Sequence, residues 1–222
     1  MSTRRRLLFG MPALGAATLA GCSAWSINDA PRFEFFVIED RHAPAAAAPT
    51  PSRLPRLDRT LLVTTGESQA LYESDRIVFT QDGVSRAYYQ YSNWSERPGR
   101  RILALAEARL GASGGFRSVA RTTGGVRGDL VLTLRLDELA HHVAEPPGVL
   151  RLALSAELVE WRSRTLLARR RFEQSVPVTR IGAAGASQAA GVAVTAVLDS
   201  LTEWVETSAS AAGGPAAGVA RP

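Results

Sequence analysis

The chain has 222 residues and a formal charge of +5, with 26 basic residues against 21 acidic ones; every basic residue is arginine and no lysine occurs. Without lysine there is no GxxxxGK[ST] phosphate loop and no Schiff-base chemistry, which excludes a conventional ATPase within this chain. The single cysteine, Cys22, excludes an internal disulfide, so the fold must rest on burial.

The N-terminus begins with Arg4, Arg5 and Arg6, continues with an uncharged apolar run from Leu7 to Ala20, and closes on the small pair Ala20-Gly21 before Cys22. Charged start, apolar middle and small residues before a cut are the layout of a secretory signal over residues 1–21. The apolar run is shorter than the roughly 20 residues a helix needs to cross a bilayer. Leu19-Ala20-Gly21-Cys22 resembles the lipobox, in which the cysteine is acylated with diacylglycerol, the chain is cut just before it and the new amine is acylated. The other reading is an ordinary signal followed by a buried cysteine. Thr3-Arg4-Arg5-Arg6-Leu7-Leu8 is close to a twin-arginine export pattern and fits a general secretory signal equally well. Ser23 is not the aspartate that resembles an inner-membrane retention mark, which points to the periplasmic side of the outer membrane. Removing three arginines with the signal leaves a mature chain near +2. No dense basic stripe interleaved with aromatics is present, so no nucleic-acid partner is expected.

Residues 22–31 form a tether, and Arg32 to Glu39 (RFEFFVIE) reads as a strand. Residues 43–59, with Pro44, Pro49, Pro51 and Pro55, read as a Pro/Ala-rich linker. Thr60 to Thr65 reads as a second strand. Arg76 to Thr80 and Val84 to Tyr91 read as hairpin arms about an Asp82-Gly83 turn. Pro98 opens a helix to about Leu110, with Gly111 placed to end it. Phe116 to Ala120 reads as a short strand. Leu130, Leu132, Leu134 and Leu136 alternate with more polar residues, as do Leu150, Leu152, Leu154, Ala156 and Leu158. With Leu166 to Val178 these form three neighbouring antiparallel strands. From Ser187 to Glu206 the period changes: Ala190, Val194, Val197, Leu198, Leu201 and Val205 mark one face of a closing helix. Residues 208–222, rich in Ala, Gly, Ser and Pro, read as a disordered tail. The sum is a single α+β domain over 32–207, with a mixed or antiparallel sheet and two main helices packed on it.

Gly111-Ala112-Ser113-Gly114-Gly115 matches GxSxG, but a nucleophile elbow needs a strand before the serine and a helix after it. Here the order is reversed, so Ser113 reads as part of a helix stop. His141 and His142 are adjacent on a strand and point to opposite faces, while His42 lies at the edge of the linker; they read as solvated, with no metal or other cofactor expected. The pairs Asp137/Glu138 and Glu157/Glu160 read as solvated strand faces. In the run Tyr88, Tyr89, Tyr91 and Trp94, strand alternation puts Tyr89 and Tyr91 on one face and Tyr88 on the other. At least one tyrosine therefore faces outward, and the four make a candidate partner interface.

The run Tyr88-Tyr89-Gln90-Tyr91-Ser92-Asn93-Trp94-Ser95-Glu96-Arg97-Pro98, the helix to Leu110 and Gly115-Phe116-Arg117-Ser118-Val119 together resemble the ABC-type transport auxiliary lipoprotein family. The lipobox, the early Phe-rich strand, the leucine-alternating hairpin and the closing Ala-rich helix stand in the family's order, over roughly residues 19–206. The resemblance implies a non-catalytic lipoprotein subunit. It would work with an ABC permease, an ATPase and a mammalian-cell-entry domain protein to move phospholipid or other hydrophobic molecules across the periplasm, supporting membrane integrity, and could form a homo-oligomeric ring. It implies no catalytic residue. The rivals are a structural outer-membrane lipoprotein without a transport partner and an anchored periplasmic hydrolase.

Overall fold

The alternating leucines set the centre of the molecule. In the computed structural model, which describes residues 32–42 and 55–213, β6 (Leu130–His142), β7 (Val149–Glu160) and β8 (Thr165–Pro177) form an antiparallel meander. Leu130, Leu132, Leu134 and Leu136 meet Leu158, Ala156 and Leu154 of β7 on one buried face. At Asp137 the register slips, so that Leu136 faces Leu154 while Glu138 faces Ala153. This bulge lets Leu139 and His141 take the buried side beyond it.

The opposite edge of β6 carries two different neighbours. Its first residues pair in parallel with β2 (Leu57–Thr65), and β5 (Phe116–Arg121) runs parallel on the far side of β2. Its last residues, Ala140 to His142, pair in parallel with Val78 to Thr80 of β3 (Arg76–Thr80). β4 (Ala87–Trp94) runs antiparallel to β3, and β1 (Glu34–Phe36) lies parallel to β4 at the edge. Eight strands thus make one mixed sheet. The α+β architecture and the three antiparallel neighbours agree with the sequence reading.

Two helices cover the sheet. Pro98 opens α1 (Pro98–Ser113), where its missing N–H costs no hydrogen bond. Ile102, Leu103, Ala106 and Leu110 enter the core. The helix runs through Gly111 and stops at Gly114, whose φ of 73° supplies the left-handed turn that Gly111 was expected to give. α2 (Ala183–Gly213) lays Ala190, Val194, Val197, Leu198, Leu201 and Val205 over β7, β8 and α1. It starts before Ser187 and continues past Thr207, because Ala186 and Ala209 extend the same buried face by one turn at each end. At the corner after α1, a Cβ on Gly115 would sit 2.5 Å from a Glu206 carboxylate oxygen. Glycine is what lets this corner approach α2.

Other boundaries differ from the sequence reading for local reasons. Of the expected strand from Arg32 to Glu39, only Glu34–Phe36 pairs. Beyond Phe36 the chain turns to the helices, and the Ile38 carbonyl accepts from Arg101 Nε at 2.8 Å. The expected linker stops short of residue 57, since Leu57 N donates to the Gly115 carbonyl and opens β2; residues 43–54 lie outside the described chain. The Asp82-Gly83 turn widens to residues 81–86. Asp82 accepts from Val84 N, from Ser85 Oγ and N and from Thr80 Oγ1, and these bonds hold its carboxyl down at about 2. Among the described residues no helix is long and apolar enough to cross a membrane.

Candidate functional site

The aromatic run on β4 divides because β4 bulges against β3. Arg76 faces Asn93, yet Val78 faces Tyr88, so β4 has three more residues than β3 between these pairs. The simple alternation that put Tyr89 with Tyr91 is lost there. Tyr88 stays at the surface, with the Arg76 guanidinium 4.9 Å over its ring. Tyr91 also stays at the surface, and Phe33 of the segment entering β1 meets it edge-on at 5.6 Å. Tyr89 instead packs on Phe79 at 4.8 Å and bonds His141. Trp94, 2% exposed, belongs to the core. It closes β4 opposite Phe36, so it cannot face a partner as the sequence reading had it.

His141 overturns a second expectation. It is wholly buried rather than solvated. Its Nε2 lies 2.7 Å from the Pro147 carbonyl, which can only accept, so Nε2 carries the proton. Nδ1 then accepts from Tyr89 Oη at 2.8 Å. Burial pushes the imidazole pKa below its usual value, and the same burial raises that of Tyr89. A neutral histidine here ties β4, β6 and the loop before β7 together. His142 pairs with Glu138 at 2.7 Å, and His42 with Asp199 at 3.3 Å. The three histidines thus sit in three separate networks. Among the described residues no three His, Cys, Asp or Glu side chains converge as metal ligands.

The remaining candidates serve structure. Ser113 Oγ donates to the Leu110 carbonyl at 2.9 Å and caps the end of α1. Asp137, expected to be solvated, is largely buried: it accepts from Arg135 at 2.7 Å and from Ser155 at 2.5 Å, and lies 3.7 Å from Arg171. Glu157 pairs with Arg169 and Glu160 with Arg59. Asp137, Glu157 and Glu160 are thus matched to arginines and Glu138 to His142, with no acid pair formed among them.

The sequence reading missed one cluster. Asp40, with its side chain 2% exposed, accepts from Arg109 of α1 and from Thr195 Oγ1 of α2. Arg109 also bonds Asp199. The one signal for this was an acid ending an apolar strand, which is too common to single out. Cys22 lies outside the described residues.

These features define a single-domain α+β protein whose central polar groups lock strands and helices together and whose aromatic edge faces outward. The sequence from His42 to Thr202 matches the model of the ABC-type transport auxiliary lipoprotein component. The chain belongs to this family of transport auxiliary lipoproteins. No curated protein sequence matches it. Among solved structures it is similar to protein XCC0632 from Xanthomonas campestris, at 19% identity and a TM-score of 0.71, over 82% of this chain and 99% of that one. It is also similar to an uncharacterised protein at 12% identity and a TM-score of 0.56, over 70% of this chain and 97% of the other. At these identities the likeness is one of fold.

Proposed function

We propose that this chain is a non-catalytic lipoprotein subunit on the periplasmic side of the outer membrane. It works with an ABC permease, its ATPase and a mammalian-cell-entry domain protein that carry phospholipid or other hydrophobic molecules across the periplasm and support membrane integrity. The family match over residues 42–202 carries this reading. The Leu19-Ala20-Gly21-Cys22 motif supplies the anchor, and the absence of lysine leaves ATP hydrolysis to another subunit. Tyr88 keeps exposed ring surface for a neighbouring molecule, and a ring of several copies would place many such surfaces side by side.

The test is capture of partners from native membranes. With no lysine and an acylated N-terminal amine, the mature chain offers amine-reactive crosslinkers no target. A photo-reactive residue at Tyr88 is therefore the suitable probe. Recovery of a mammalian-cell-entry protein supports the reading; membranes that contain such a protein but yield none in the crosslinked fraction point to a structural lipoprotein without a transport partner.

A further inference from the structure

Four of the exposed apolar side chains of the body stand together where the chain from Cys22 enters it, while others, such as Trp161 and Ile181, lie elsewhere. Phe33 and Phe35, each 63% exposed, stand two residues apart on the segment that forms β1, with exposed Val37 two residues further on. Tyr91 of β4 joins them through its edge-on contact with Phe33. Phe36, by contrast, packs against the core opposite buried Trp94. One face of the β1–β4 edge is thus finished by the core, and the other presents aromatic rings to whatever lies outside. Rings grouped in this way mark a contact surface more than scattered apolar residues do.

The length of the chain leading to this strip selects the occupant. Ten residues separate Cys22 from Phe33. Fully extended, they reach about 35 Å; as a flexible coil their ends lie about 18 Å apart. If Cys22 holds the lipid, Phe33 is never far from the bilayer surface, whatever else the protein meets. Arg76 lies over Tyr88 beside the strip. Aromatic rings beside a guanidinium group suit the headgroup region, where rings sit between water and acyl chains and cations meet phosphate. The three paired residues of β1 are too few for a stable strand-to-strand union with another chain.

We infer that Phe33, Phe35 and Tyr91 form a membrane-seating strip, with their rings in the headgroup layer of the bilayer that holds the acylated cysteine. This rests on the lipid-anchor reading of Cys22. Acylation already suffices for attachment, so the strip contributes orientation: it lays the β1–β4 edge on the lipid and turns the rest of the sheet toward the periplasm.

Acylation of Cys22 leaves no free thiol, so one introduced cysteine can carry a polarity-sensitive fluorophore. The full lipidated chain, as Phe35→Cys and separately as Val126→Cys, is reconstituted into vesicles of phosphatidylethanolamine and phosphatidylglycerol. Val126 is exposed on the loop entering β6, at the opposite end of that strand from β3. The expected result is a blue shift and quenching by nitroxide lipids at position 35, with neither at 126. An aqueous spectrum at position 35 on protein that floats with the vesicles overturns the strip and leaves the anchor standing. Protein that does not float overturns both. A blue shift at 35 that already appears in detergent and grows with protein concentration overturns the strip in favour of a second copy of the chain.

Discussion

Arg109 holds Asp40 with two nitrogens, Nε to Oδ2 at 2.9 Å and Nη2 to Oδ1 at 2.5 Å, and so fastens the segment after β1 to the helical layer. Thr195 Oγ1 and His42 N complete the shell around the same carboxylate. Arg109→Leu strands a buried charge, and a loss of about 3–5 kcal/mol is expected. Urea unfolding followed by circular dichroism measures it. Adding Asp40→Asn to Arg109→Leu should recover part of the loss, because the amide needs no counter-charge. Two single losses that simply add would show that the pair is not coupled.

The buried His141 predicts acid sensitivity. Its pKa is lowered in the folded state, so the unfolded chain takes up the proton first. Its contribution to stability is complete above the ordinary histidine value of about 6.5 and falls as the pH drops below it toward the folded value. Melting temperature should therefore decline from about pH 7 to about pH 5. His141→Gln can still donate to Pro147 and accept from Tyr89, and it should flatten that decline. An unchanged slope in the variant would assign the acid sensitivity to other groups.

Two glycines of similar backbone angle should respond differently to alanine. Gly148 has φ of 83°, and a Cβ there would lie 2.1 Å from the His142 carbonyl oxygen. Gly83 has φ of 75° and open space around it. Gly83→Ala should cost about 1–2 kcal/mol, from the left-handed conformation alone. Gly148→Ala should cost clearly more, since the backbone beside His141 must also move. Thermal melts of the two variants side by side decide the order.

Cys22→Ser removes the acylated sulfur. The precursor should accumulate uncut, with no incorporation of labelled palmitate, and should partition away from detergent-solubilised lipoproteins. Normal maturation and membrane retention of this variant would contradict the lipobox assignment.

Periodic segments were legible in the sequence and long-range pairings were not. Leu130 to Leu136 and Leu150 to Leu158 declare a dry face through spacing alone, and the i, i+4, i+7 pattern of Ala190 to Leu201 declares α2. Nothing local reports that β4 bulges against β3, yet that bulge decides which of Tyr88, Tyr89 and Tyr91 faces out. His141 is read as solvated until Tyr89 and Pro147 close on it. Asp40 and Arg109 lie 69 residues apart and become neighbours only when α1 packs beneath the segment after β1. In the candidate site, residue types were therefore easier to read than partners.

The parallel pairing of β1 with β4 also sets how the molecule would carry tension from its lipid end. Glu34, Phe35 and Phe36 lie alongside Ser92, Asn93 and Trp94, and Ser95 N donates to the Phe36 carbonyl at 2.8 Å. A pull along the axis of β1 loads these bonds together, in shear, instead of peeling them one after another. Whatever passes beyond Phe36 meets the Ile38 carbonyl held by Arg101 and the Asp40 carboxylate held by Arg109. The leucine core is thus two fastenings away from any drag on the anchor.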